Sequence, residues 1–299
     1  MLEFHTLDVF AQDAYTGNPL AVVLGADGLS TAQMQTIARE FNLSETIFVQ
    51  SPEDATHTAK VRIFLTAAEI PFAGHPTIGC AILLAEAQNP HGDFEMEITL
   101  EEVAGLVPVR VRRINGTMHA EFTAPVNPFA HEGTLPAQEL IAKALGLETD
   151  DIGECGLWQG GPSFIYIPVS SQSALSKAAV GGSEWTELTQ LAKSNAAYLY
   201  TPDGNGGYSA RMFAPANGLA EDPATGSASA ILAAQLLHAG SLNEGTNRIS
   251  LTQGVDMGRP SKITLTIDVS AGKINAVRIA GSAVRISNGS LKPPLPQCN

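Results

Sequence analysis

The chain has 299 residues, 44% hydrophobic and 16% charged, and its 17 basic against 30 acidic side chains leave a formal net charge of −13 at pH 7. That length predicts two domains, each with its own core, and the acidic balance argues against nucleic acid or an anionic membrane as a partner. Met1 to Phe10 lack a basic n-region followed by an apolar stretch, and no apolar run approaches the roughly 20 residues of a membrane span, so a cytoplasmic protein is expected. Cys80, Cys155 and Cys298 form an odd set without metal-ligand spacing, which predicts reduced thiols and no disulfide framework.

In chain order, alternating or β-branched segments predict strands over 3–10 and 21–24, then a helix over 31–41 capped by Ser30. Strands follow over 46–50 and 60–65, then the helical run "FAGHPTIGCAILLAEAQ" over 72–88, then strands over 94–100 and 107–114. Residues 115–136, with Gly116, Pro125, Pro128 and Gly133, read as the connection between halves. Beyond it come a helix over 137–145, a strand over 163–168, a helix over 184–193 after Ser183, and strands over 197–200 and 208–213. "DGNGGY", 203–208, reads as a hairpin turn between those two strands. The helical run "EDPATGSASAILAAQLL" over 221–237 precedes strands over 248–252, 262–269 and 274–286.

The two quoted runs share one layout, in which small and turn-forming residues lead into Ala-Ile-Leu. Setting residue n against n+149 without gaps pairs Arg62 with Arg211, Phe64 with Phe213, Ala67 with Ala216, and Ala81-Ile82-Leu83 with Ala230-Ile231-Leu232. Ala/Ile/Leu runs look alike by chance, but a strand-turn-helix layout kept in one register predicts an internal duplication.

The first N–H groups of a helix lack intrahelical acceptors and, with the helix dipole, attract an anion such as a carboxylate. Gly74 and Gly226 allow close backbone approach, and Pro76 and Pro223 suit a helix start. Two such entrances facing one cleft would grip a small carboxylic acid; the plainer reading of either is a Gly/Pro turn before a core helix. Neither G-x-x-x-x-G-K-[ST] nor G-x-G-x-x-G occurs, so no nucleotide cofactor is expected. The seven histidines show no H-E-x-x-H or Cys/His ligand spacing, so no metal is expected, and no G-x-S-x-G elbow is present.

Glu45 in "NLSETIFV" sits where a helix ends and an apolar strand begins, a place from which a partly buried carboxylate with a raised pKa can act on a ligand, or simply a surface turn. His75 can exchange a proton or cap a turn. Asp222 can bind an amine or hydroxyl or cap a helix, and Ser227 can donate to a carboxylate or only belong to a first helical turn.

These residues lie in motifs that resemble the PhzF-like phenazine-biosynthesis isomerases across essentially the whole chain: "TGNPLAVV" (16–23), "NLSETIFV" (42–49), "RIFLTAAEIPFAGHPTIG" (62–79), "EDPATGSA" (221–228), "QGVDMGRPS" (253–261) and "GSAVRIS" (281–287). The resemblance implies the diaminopimelate-epimerase-like α+β fold. In it two pseudo-symmetric domains each wrap a curved, mostly antiparallel sheet or barrel around a central helix, with the active site between them. The expected domains are 1–118, to which the C-terminal strand can return, and 119–299. The resemblance also implies a homodimer, a small carboxylate substrate and proton-transfer chemistry without metal or organic cofactor.

Carried over residue by residue, the family's acid/base carboxylate falls on Glu45, with His75 and Asp222 as its catalytic companions and Gly74, Thr77, Thr225, Gly226 and Ser227 as substrate-binding positions. Related epimerases place two cysteines at the helix entrances, where this chain has Ala73 and Thr225. Cys80 lies inside the helix and reads as a small apolar residue. Leu65, Ala67, Ser229 and Ala230 depart from many relatives and leave the substrate open. The expected activity is an isomerase moving a proton on a small, cyclic or amino-bearing carboxylic acid, with an epimerase or racemase, or a non-catalytic metabolite-binding protein, as alternatives. In the ungapped register Glu45 falls on Ser194, and 193–200 holds no carboxylate, so the acid/base set is expected to be asymmetric.

Overall fold

The computed structural model describes residues 1–295. The chain forms two compact units, Met1–Pro125 together with the C-terminal segment from Ala280, and Val126–Ile279.

In the first unit β1 (Leu2–Val9) pairs antiparallel with β2 (Asn18–Val23), and α1 (Thr31–Phe41) crosses to β3 (Glu45–Gln50), which lies parallel to β2. α1 opens on a capping box between Ser30 and Gln33, closes on Asn42 in the left-handed conformation, and buries Met34, Ile37 and Ala38. β4 (Ala59–Phe64) runs antiparallel to β3, and the short β5 (Glu69–Ile70) pairs with its end. After α2 (Gly74–Gln88), β6 (Phe94–Glu102) lies parallel to β4, and β7 (Gly105–Ile114) and β8 (Thr117–Thr123) continue as a meander. The C-terminal strand, Ala283–Leu291, returns to pair with β1.

Every residue of α2 from Gly74 to Leu83 is buried. A helix apolar on all faces has to be enclosed, and α2 touches β1, β2, β3, β6, β7, β8 and the returning C-terminal strand. The strands of this unit therefore curve around it. Gly79 lets the helix approach closely, since a Cβ there would stand 2.6 Å from Leu20 and 2.7 Å from Val9.

The second unit runs β9 (Phe129–Ala130), α3 (Gln138–Leu145), β10 (Gly156–Gln159), β11 (Ser163–Pro168), α4 (Gln172–Lys177), α5 (Gly182–Ala192), β12 (Ala197–Pro202), β13 (Tyr208–Ala214) and β14 (Leu219–Asp222). It continues through α6 (Gly226–His238), β15 (Gly245–Gln253), β16 (Ser261–Ser270) and β17 (Lys273–Gly281). α6 is buried from Ala228 to Leu236 and packs on β10, β11 and β16. On the other side of the strands, α3, α4 and α5 close a second core around Ile141, Leu175, Trp185 and Leu188.

Strand pairing repeats between the units. β2 parallel to β3, β3 antiparallel to β4, and β4 parallel to β6 recur as β11 parallel to β12, β12 antiparallel to β13, and β13 parallel to β15. The repeated arginines keep one role. Arg62 forks onto Glu69 and lies over Phe64; Arg211 forks onto Glu221 and lies over Phe213. The ungapped register nevertheless slips. It would set Gly74 on Pro223, whereas α6 begins three residues later at Gly226. Along the strands Thr46 faces Phe64 while Ala197 faces Phe213, so the ladder counterpart of Glu45 is Ala196 rather than Ser194.

Several elements differ from the sequence expectation. Residues 117–123, read as part of the connection, form β8. Asn115 and Gly116, both at positive φ, make a two-residue hairpin turn, and Met118, Ala120 and Phe122 point inward. Residues 274–286 are not one strand but comprise all of β17 except Lys273, and the start of the C-terminal strand, separated at Ser282. Ser183 does not cap α5; the helix starts at Gly182, and the serine hydroxyl donates to Glu184. Short β5, β10 and β14 carry too few residues for a periodic signal.

Gly254, at φ +75°, follows β15 against the chain that leads into α6, where a Cβ would stand 2.5 Å from the Arg259 carbonyl oxygen and 2.7 Å from that of Pro223. Gly254→Ala should lower the free energy of unfolding by about 2–3 kcal/mol, read from the urea midpoint at unchanged slope.

Candidate active site

In the first unit Glu45 is the first residue of β3, set opposite Leu20, and is only 9% exposed. His75, 3% exposed, is the second residue of α2, and its Nε2 lies 3.4 Å from Glu45 Oε2. The Asn18 side-chain amide lies 3.4 Å from His75 Nδ1, and the ring also bonds the Pro19 backbone. Burial pushes the His75 pKa down to about 3, against a weaker upward pull from the Pro19 backbone, so the ring is neutral at physiological pH. A neutral imidazole can hold or pass a single proton without placing a fixed positive charge in the core.

α2 has no side-chain cap on Ala73, its N-cap residue. Thr77 N–H is the first to bond back, to the Ala73 carbonyl at 3.2 Å, which leaves the N–H groups of Gly74 and His75 without intrahelical acceptors. Pro76 has none to satisfy. Thr77 is fully buried, with its hydroxyl 2.8 Å from the Ala73 carbonyl oxygen and 2.7 Å from Glu102 Oε1.

The second unit builds the same entrance with other side chains. Thr225 is the N-cap of α6, and the first bond back is Ser229 N–H to the Thr225 carbonyl at 2.9 Å. Gly226, Ser227 and Ala228 thus start the helix without intrahelical acceptors. Asp222, at the end of β14 and buried, accepts the Thr225 hydroxyl at 2.6 Å. Gln253, fully buried at the end of β15, accepts Thr225 N–H at 3.2 Å and donates to the Asp222 carbonyl and to Thr225 Oγ1 at 2.7 and 3.0 Å. Ser227 remains half-buried.

Glu45, Gly74, His75 and Thr77 therefore gather around the start of α2, and Asp222, Thr225, Gly226 and Ser227 around the start of α6. Neither N-cap residue is a cysteine. Among the described residues no group of His, Cys, Asp and Glu is arranged to hold a metal ion, and no helix is long and apolar enough to cross a membrane.

The sequence model of the PhzC-PhzF family, described as phenazine biosynthesis-like protein, matches residues 7–289. The chain belongs to this family. It is 40% identical to an uncharacterised isomerase of Mesorhizobium japonicum, over 95% of this chain and 96% of that protein. It is 34% identical to trans-2,3-dihydro-3-hydroxyanthranilate isomerase of Pseudomonas chlororaphis, over 97% and 99% of the two chains. The crystal structure of a PhzF-family phenazine biosynthesis protein from Bacillus anthracis superposes with a TM-score of 0.83 at 23% identity, covering 97% and 99%. This PhzF-like chain is an isomerase with the diaminopimelate-epimerase-like fold.

Three buried polar residues at these entrances escaped the sequence reading. Asn18 and Gln253 lie inside quoted motifs, but nothing in a lone amide separates a hydrogen-bond anchor from a surface residue. Glu102 carried a signal, because Ile98, Leu100 and Glu102 share the inward face of β6.

Burial pushes the Cys155 thiol up to about 12 and raises Cys80 further, with Glu102 adding to the shift at Cys80. Cys298 lies outside the described residues. Iodoacetamide at mildly alkaline pH should leave Cys80 and Cys155 unlabelled in the native PhzF-like protein and label both in urea, as read by peptide mass spectrometry. Rapid native labelling of Cys80 would contradict its enclosure inside α2.

Proposed function

We propose that the chain moves a proton between two carbons of a small, cyclic or amino-bearing carboxylic acid, with Glu45 as the single acid/base. The observation that carries this reading is the pair formed by Glu45 and a neutral His75, 3.4 Å apart and both buried, in a family whose relatives are named isomerases. Glu45 removes a proton from one carbon, the double bond shifts along the allylic system, and the same carboxyl group returns the proton to the far carbon. His75 orients the carboxyl group or shares its proton. The N–H groups at the starts of α2 and α6 hold the substrate carboxylate, while Asp222 and Ser227 position its amine or hydroxyl.

The asymmetry of the repeat supports one base rather than two. Racemisation at one carbon ordinarily uses an acid and a base on opposite faces, yet the ladder counterpart of Glu45 is Ala196 and the N-cap residues are Ala73 and Thr225. Neither the ladder counterpart of Glu45 nor either N-cap residue is a carboxylate or a thiol. On family likeness we also propose a homodimer, and on the acidic surface and thiol content a cytoplasmic enzyme.

The relative from Pseudomonas chlororaphis suggests the first compound to test, trans-2,3-dihydro-3-hydroxyanthranilate, beside other small cyclic amino acids with an allylic C–H. Glu45→Gln keeps size and hydrogen bonding but removes the base, and should lower kcat by about 10²–10⁴-fold with KM little changed. In deuterated water the product should retain part of the substrate's own hydrogen. Near-normal turnover by the Gln variant, or complete solvent exchange at full rate, overturns the assignment.

A further inference from the structure

Glu102 is used by nothing in the proposed reaction, yet its carboxyl group reaches the first turn of α2. It is 7% exposed, and its Oε2 has no hydrogen-bond partner among the described residues. Its Oε1 lies 2.7 Å from Thr77 Oγ1, which lies 2.8 Å from the Ala73 carbonyl oxygen. The Thr77 hydroxyl has one proton and faces two oxygens. An ionised Glu102 and the carbonyl would both have to accept it, and one buried acceptor would go unmet. Both contacts are satisfied at once only when Glu102 carries a proton and donates it to Thr77 Oγ1.

The second unit holds an independent counterpart. Lys60 of β4 faces Glu101, and Ser209 of β13 faces Thr252; one residue further along each strand stand Glu102 and Gln253. Gln253 is an amide, neutral at every pH, and its Nε2 donates to Thr225 Oγ1 at 3.0 Å in the opening of α6. The repeat thus places a side chain of one shape beneath each helix start, and in the second unit that side chain cannot ionise.

We propose that Glu102 is a positioning residue that works as a neutral acid, doing for the α2 entrance what Gln253 does for that of α6, and that its ionisation weakens anion binding there. The coupling rests on the reading of this entrance as a carboxylate site. A negative charge against the first turn takes up the field of the same N–H groups that would hold the substrate anion. Burial pushes the Glu102 pKa up to about 8, against a weaker downward pull from Thr77. The ionisable groups around it are Cys80 on α2, Lys60 on β4, and Glu53, Asp54, His57 and Glu101, which line an adjoining cavity of about 530 Å³ with Glu102. Glu101 is held by the backbone N–H groups of Glu53 and Asp54 and by His57, so it does not compete for Thr77.

The test uses the intact protein and 3-hydroxyanthranilate as a carboxylate probe that cannot be isomerised. Difference infrared spectra of wild type and Glu102→Gln should show a protonated-carboxyl band at about pH 6 that belongs to Glu102 and disappears by about pH 10. Thr77→Val should shift that band. By calorimetry the wild type should bind the probe roughly tenfold more weakly at about pH 10 than at about pH 6, and Glu102→Gln should bind equally at both. Absence of the band in the wild type at about pH 6 overturns the proposal without recourse to any variant, as does an equal weakening in both proteins. Retained titration of the band with no probe binding by either protein overturns the entrance reading and the coupling built on it, while supporting the neutral acid beneath Thr77.

Discussion

A helix apolar on every face cannot lie on a surface, and this constraint shapes both units. α2 and α6 have no polar side to turn outward, so strands must cover them all round. In the first unit β1, β2, β3, β6, β7, β8 and the C-terminal strand, brought back beside β1, surround the helix. Enclosure leaves the helix start as the place where unmet backbone N–H groups and a positive dipole end are available. The candidate site residues collect there because the enclosed helix offers polar backbone groups at its ends and apolar side chains along its length.

The two units keep their folding devices and diverge in their buried ionisable side chains. Arg62 and Arg211 make equivalent forks to Glu69 and Glu221, and Thr77 and Ser229 each bond back to the N-cap carbonyl. These contacts tie the incoming strand and the first turn together in both halves. Glu45 against Ala196 and Glu102 against Gln253 are the reverse case, each pairing an ionisable residue with one that cannot ionise. The difference sits on side chains that point at the helix starts, where a proton can matter, and not on those that hold the strands in register.

Burial decides protonation around α2. Desolvation disfavours the charged form of each group in turn, leaving His75 an uncharged imidazole, Cys80 a thiol and Glu102 an acid through neutrality. The same burial makes the thiols structural, consistent with the absence of cysteine from both N-cap positions.

The elements with long periodic signals, the duplication, the family and the residues inside the quoted motifs were legible along the chain, because periodicity, Gly/Pro punctuation and motif order are local properties. The chain carried the Asn115-Gly116 hairpin turn as well, but a turn-rich stretch between two repeats reads equally as a linker until β8 is seen paired to β7. Which residues of the repeat correspond was settled by the strand pairing. The register shifts between strand and helix, moving the counterpart of Glu45 from Ser194 to Ala196, and an ungapped comparison cannot follow a shift that loops absorb. Only the tertiary structure could join Glu102 to Thr77 and Gln253 to Thr225. Those contacts are made by parallel pairing of β4 with β6 and of β13 with β15 across an intervening helix, and the hydrogen-bond partner of a buried side chain is set by that pairing and not by its neighbours in sequence.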